Sequence, residues 1–191
     1  MFDQLKQTLG GIVAIPDKQM EAFAKIAKPR DYKAGECFIT ENEIPNKFAF
    51  NVNGLFRYYY ADQDGNEYTK GFFPENTFIS SYSAMVQKRE SYFRIEALEN
   101  SSVLIVNYLE FMKLFSEHEC WKLFLIKILE LGYFIKETRE REFLLFDAMT
   151  RYKSFLSAYP GLEKRVKQHL IASYIGITPV ALSRIRNKMK T

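Results

Sequence analysis

The chain has 191 residues, 47% of them hydrophobic, so it can bury one large core or two small ones. Two cysteines exclude a disulfide scaffold and a four-cysteine iron–sulfur centre, and point to a reducing, cytoplasmic setting. The net charge of +4 is unevenly spread: residues 151–191 carry nine Lys/Arg against Glu163 alone, a net +8, while residues 1–150 carry −4.

The opening MFDQLKQTLGGIVAIP has no basic flank before a long apolar run, so no signal peptide is expected. Residues 1–28 read as short helices, with Asp17 as a cap before KQMEAFAKIAK. From Arg30 to Asn107 strand-like runs alternate with turn signals. CFIT, KFAFNVN, LFRYYYA, EYTKGFF, RIEALE and SVLIVN are the strands, and Asp64-Gly65 marks a hairpin. Short strands at this spacing predict a sandwich or barrel-like β domain. LEFMKLFSEH reads as a short amphipathic helix.

One long helix is then predicted over CWKLFLIKILELGYFIKETREREFLLF, which contains no proline. Trp121, Ile128 and Ile135 recur at seven, as do Phe124 and Leu131 beside them, a heptad seam. Leu123, Ile126, Leu129, Tyr133 and Phe134 cover other faces, so the helix must be buried on more than one side. The seam Trp121, Phe124, Ile128, Leu131 and Ile135 is assigned to a homodimer interface. Lys122, Lys127 and Glu130 interrupt the run, so it is not a membrane span.

Past Asp147, a capping residue, AMTRYKSFLSAY forms another helix that Pro160-Gly161 ends. QHLIASYIGITPVALSRIRNK then reads as helix, turn, helix. Ile171 and Ile175 share one face, Leu182 and Ile185 another, Gly176 supplies the turn, and Thr178-Pro179 restarts the helix. With the basic tail, this pattern implies double-stranded DNA as a partner. Leu182 and Ile185 point inward, leaving Pro179, Val180, Ser183 and Arg184 to meet base edges. Thr178, Arg186, Asn187 and Lys188 are assigned to phosphates.

The order of these elements, with YKAGECFITE, VNGLFRYYYADQDGNEYTKGFF, TRYKSFL and IASYIGITPVALSRIR, resembles the Crp/Fnr superfamily of bacterial transcription regulators. The short, aromatic-rich form is similar to the members of Bacteroidetes-type bacteria. The resemblance implies an α+β chain with three parts. These are a cyclic-nucleotide-binding-like jelly roll over 1–117, a dimerisation helix over 118–146 and a helix-turn-helix over 147–191. It also implies a homodimer on a roughly palindromic site, with RNA polymerase a further partner and no membrane. The sequence given ends at Thr191, so the β wing that follows the reading helix in many members is not expected.

In cyclic-nucleotide-binding members a Gly-Glu motif and a later Arg hold the ligand. Here Pro74-Glu75 stands at the first, and Ser91 at the second, with Arg89 two residues away. Without that Arg the phosphate loses a bidentate contact, so cAMP is not the expected effector and no cofactor is assigned. Phe73, Glu75, Phe78, Tyr82, Ser91 and Tyr92 are the candidate effector-pocket residues, lining either a packed core or a site for an unknown small ligand.

Other chemistry is weaker. Glu117-His118-Glu119-Cys120 is metal-like in composition, but neighbours on a helix point apart and read as a solvated helix start. A cupin-type metal enzyme needs several strand histidines, and residues 30–107 contain none. No catalytic motif stands out, so the chain reads as a non-enzyme. The remaining alternative is a sensor module acting through protein partners.

Overall fold

In the computed structural model, which describes residues 1–189, helices α1 (Phe2–Gly10) and α2 (Asp17–Ile26) precede the strands. Lys190, counted in the basic tail, lies outside the described residues. Leu5 and Leu9 on α1, and Met20 and Phe23 on α2, are buried at one-turn spacing. Asp17 is the first residue inside α2 rather than its cap, and it pairs with Lys6 at 2.7 Å.

The strands are β1 (Lys28–Tyr32), β2 (Cys37–Ile39), β3 (Lys47–Asn53), β4 (Phe56–Ala61), β5 (Glu67–Phe73), β6 (Phe78–Ile79), β7 (Arg94–Ala97) and β8 (Ser101–Asn107). A short helix, α3 (Tyr82–Gln87), sits between β6 and β7; the sequence pattern did not announce it. The strands form two four-stranded sheets, β1-β8-β3-β6 and β2-β7-β4-β5. The pairs β1–β8, β3–β8, β3–β6, β2–β7 and β4–β7 are antiparallel.

Alternation along β3 and β8 divides the interior. Phe48, Phe50, Leu104 and Val106 join the N-terminal helices in one cluster, and Ala49 and Val103 join residues of the second sheet, Phe56, Tyr58 and Ile95, in another. Gly54, between β3 and β4, has φ +96°, and a Cβ there would lie 2.1 Å from Ser101 Oγ, so only glycine fits.

Helix α4 (Tyr108–Leu114) is capped by Asn107, which accepts from the Leu109 and Glu110 N–H groups. The long helix α5 spans Cys120–Leu145. His118 Nδ1 accepts from the Cys120 N–H at 3.1 Å, so Glu117, His118 and Glu119 form the turn that leads into this helix, and the buried Cys120 is its first residue. Then come α6 (Ala148–Ala158), a 3-10 turn (Leu162–Lys164), α7 (Gln168–Ile175) and α8 (Pro179–Lys188). Asp147 caps α6, accepting from the Thr150 N–H at 2.8 Å.

The chain forms two compact units. One holds Met1–Tyr60 and Phe72–Glu130; the other holds Ala61–Gly71 and the chain from Leu131 onward. This differs from the linear division at 117 and 146: the long helix is shared, and the tip of the β4–β5 hairpin belongs with the C-terminal helices.

The face of α5 expected to meet a partner subunit needs correction at its N-terminal end. Trp121 and Phe124 are fully buried in the chain's own core. Trp121 stacks on Phe23 at 5.1 Å and donates Nε1–H to Gln19 Oε1 at 2.8 Å; Phe124 packs against Phe78 and Phe111. Ile128 is partly buried against the same cluster, whereas Leu131 and Ile135 are exposed. The N-terminal part of the seam faces inward because Trp121 and Phe124 pack into the cluster that Phe23, Phe48 and Phe111 form with them. Ile126, Leu129 and Tyr133, on the opposite side of the helix, are exposed.

Candidate nucleic-acid interface and effector region

Helix α7 buries Leu170, Ile171, Ala172 and Ile175. It ends at Gly176 in the left-handed conformation, φ +72°, where the Gly176 N–H donates to Ser173 O and the Ile177 N–H to Ala172 O. A Cβ on Gly176 would also lie 2.6 Å from the Phe143 ring. Glycine is therefore required twice, by backbone angle and by close approach. Thr178 caps α8, accepting from the Ala181 N–H at 3.2 Å, and Pro179 occupies the first turn.

On α8 Leu182 is fully buried and Ile185 half-buried, which turns the other side outward. Thr178, Pro179, Val180, Ser183, Arg184, Asn187 and Lys188 are exposed, and Arg186 is half-buried. At about 100° per residue, Val180, Ser183, Arg184 and Asn187 fall within an arc of roughly 100°. Asn187 thus stands on the same face as the base-reading candidates, while Arg186 and Lys188 flank it on either side.

The remaining cations of the tail fall into two groups. Lys164, Arg165, Lys167 and His169 are exposed around the 3-10 turn and the start of α7. Arg151 is structural instead. It donates Nε–H to Ile175 O at 2.9 Å and Nη1–H to Phe146 O at 2.6 Å, and lies 5.0 Å from the Phe143 ring centre. Arg139, which sequence reading passed over, donates to Thr69 O at 3.1 Å and sits 4.0 Å from the Tyr174 ring centre. Its sequence neighbourhood carries no signal for this, because the partners come from distant segments.

The six effector-pocket candidates do not converge on one cavity. Phe73 stacks on Tyr58 at 3.8 Å, and Tyr58 stacks on Phe93 at 5.2 Å. Tyr58 Oη accepts from the Ser80 N–H at 2.6 Å, and burial pushes its phenol well above the ordinary range. Ser91 is buried, its hydroxyl bonded to Ser81 Oγ at 2.9 Å and to Phe93 O at 2.8 Å. Glu75 Oε1 accepts from the Gly54 N–H at 3.0 Å. Phe78 belongs to the other cluster, packed on Phe50 and Phe124. Tyr82 meets Tyr108 edge-on, and Tyr92 is exposed beneath Arg89. Tyr58 and Phe93 were absent from the expected set.

An open recess of about 440 Å³ lies elsewhere, around Asp31, Glu36, Asn53 and Ser102. Among the described residues, no three His, Cys, Asp or Glu side chains group as a metal site, and no helix is long and apolar enough to cross a membrane.

Residues 29–118 match the cyclic nucleotide-binding domain family. Comparison with curated proteins gives no match. Solved structures share the fold at low identity. The c-di-GMP-responsive global regulator CLP of Xanthomonas campestris is 14% identical, with a TM-score of 0.72, over 92% of each chain. A CooA mutant from Carboxydothermus hydrogenoformans is 21% identical, with a TM-score of 0.72, over 88% of this chain and 78% of that one. FixK2 from Bradyrhizobium japonicum is 19% identical, again with a TM-score of 0.72, over 86% and 85%. The chain therefore shares its fold with these structures, and residues 29–118 share the sequence pattern of the cyclic nucleotide-binding domain.

Proposed function

We propose that this chain, a cyclic nucleotide-binding domain joined to a helix-turn-helix, is a DNA-binding transcriptional regulator of the Crp/Fnr type and not an enzyme. The observation that carries the reading is α8. Its exposed face of Val180, Ser183, Arg184 and Asn187 is held outward by buried Leu182 within a strongly basic segment. Arg184 is the candidate for a bidentate contact to guanine, and Pro179 and Val180 for thymine methyl groups. Thr178, Arg186 and Lys188 serve the phosphates.

A homodimer places two such helices about one turn of DNA apart, on a two-fold site. The exposed stripe Ile126, Leu129 and Tyr133 is the surface that supports pairing; Leu131 and Ile135, also exposed, lie on the seam's side of the helix. A cytoplasmic regulator of this type has RNA polymerase as its further partner.

The effector region supports a reading without cAMP. The Ser80 N–H already donates to Tyr58 Oη within the chain, and Phe73 and Phe93 fill the space beside Tyr58. CLP answers c-di-GMP, so three nucleotides deserve trial. Calorimetric titration of cAMP, cGMP and c-di-GMP is expected to give no heat of binding. Micromolar binding that tightens DNA affinity would reverse this reading. Mass spectrometry of natively purified protein tests for any other small ligand.

The DNA assignment is tested by measuring affinities over a set of duplexes. Arg184→Ala is expected to relax preference at one base position, by about 1–3 kcal/mol. Lys188→Ala is expected to weaken all sequences alike and to lower the salt slope by about one. An unchanged preferred site in Arg184→Ala would refute the assignment.

A further inference from the structure

Strand β5 ends its sheet, so the outward N–H and C=O groups of alternate residues need partners from outside it. At the hairpin end of β5 a single side chain meets two of them. The Thr69 N–H donates to Ser173 Oγ at 2.9 Å, and the Ser173 hydroxyl donates to Glu67 O at 3.0 Å. Ser173 lies on α7, the first helix of the reading pair. A third bond comes from α5: Arg139 donates to Thr69 O at 3.1 Å while its guanidinium lies over the Tyr174 ring. Thr69 itself is buried.

The hairpin that carries these groups is stiff. Asp62 Oδ1 accepts from the Asp64 and Asn66 N–H groups, and Asp62 Oδ2 from the Asn66 amide and the Tyr68 hydroxyl. Those bonds hold the Asp62 carboxyl below the ordinary carboxylate range. The segment Ala61–Gly71 belongs to the same compact unit as α7 and α8, although its ends continue into β4 and β5 of the β domain.

We propose that Ser173 is a positioning residue for DNA binding: its hydroxyl latches the edge of β5 to α7 and so pre-orders the helix-turn-helix. The inference rests on the DNA-binding reading above. Only a hydroxyl can donate to one backbone group and accept from another at this spot, so serine and threonine serve and alanine does not. Loosening the latch leaves α7 with conformational freedom that must be lost on binding, which weakens affinity without touching a DNA contact.

The test uses full-length wild type, Ser173→Ala and Ser173→Thr. Alanine is a good helix former, so the first variant keeps its fold. Ser173→Ala is expected to speed hydrogen exchange of the Thr69 amide by about tenfold or more. Its DNA dissociation constant should rise about three- to tenfold, and Ser173→Thr should restore both quantities. By reciprocity, bound DNA should slow Thr69 exchange in the wild type. Unchanged Thr69 exchange in Ser173→Ala overturns the latch. An affinity equal to or tighter than wild type overturns its role in positioning. A wild type that binds no DNA overturns the functional reading instead, and the exchange comparison still decides whether the latch exists.

Discussion

Gly176 and Asp147 bound the reading unit's fold at the scale of single residues. Gly176 combines a left-handed backbone with the Phe143 ring at the place of a Cβ. Gly176→Ala is expected to cost at least about 1 kcal/mol from backbone strain alone, with a further loss from displacing the ring. Thermal unfolding reads the cost. Phe143→Ala in the same chain should recover part of it, a coupling that independent sites would not show. Asp147 accepts from Thr150, which holds its carboxyl below the ordinary value. Because the folded-state value is the lower one, the cap's contribution is present above the unfolded carboxylate range and is lost as pH falls through the folded value. Asp147→Ala should therefore lower the unfolding midpoint at neutral pH, and the gap to wild type should close in acid. A gap that stayed constant with pH would separate the cap from the charge.

Helix α5 shows how an element can be legible while its orientation is not. Its length and its apolar character on several sides were readable from Trp121 to Ile135. Which side met the chain's own core was not, because that depends on Gln19, Phe23 and Phe111, brought in from elsewhere in the chain. Trp121→Ala is expected to destabilise the monomer by about 3–5 kcal/mol. Ile126→Glu with Leu129→Glu should instead leave the fold intact and shift sedimentation from dimer to monomer. A double variant that stays dimeric would move the interface off this stripe. The reading pair was legible because its determinants are local: a glycine at the left-handed position, a Thr-Pro restart and two one-turn apolar pairs. The effector region was not, since the Tyr58, Phe73 and Phe93 stack joins three separate segments, and a two-residue β6 gave no alternation by which to place Phe78.

For the whole molecule, charge and fold divide in the same direction: a β domain within the acidic part of the chain and reading helices within its basic tail. On the proposed function, DNA binding through this tail is expected to depend strongly on salt. With Tyr58 accepting from the Ser80 N–H and Phe73 and Phe93 stacked beside it, that affinity is expected not to depend on added cyclic nucleotide. The central claim is that two copies of α8 read a two-fold DNA site, and selection of bound duplexes from a random library, with sequencing of the survivors, tests it most directly. The account predicts enrichment, without any added nucleotide, of an inverted repeat whose half-sites lie about 10–10.5 base pairs apart, centre to centre. Recovery of no sequence preference, or of a single unrepeated half-site bound by a monomer, would contradict it.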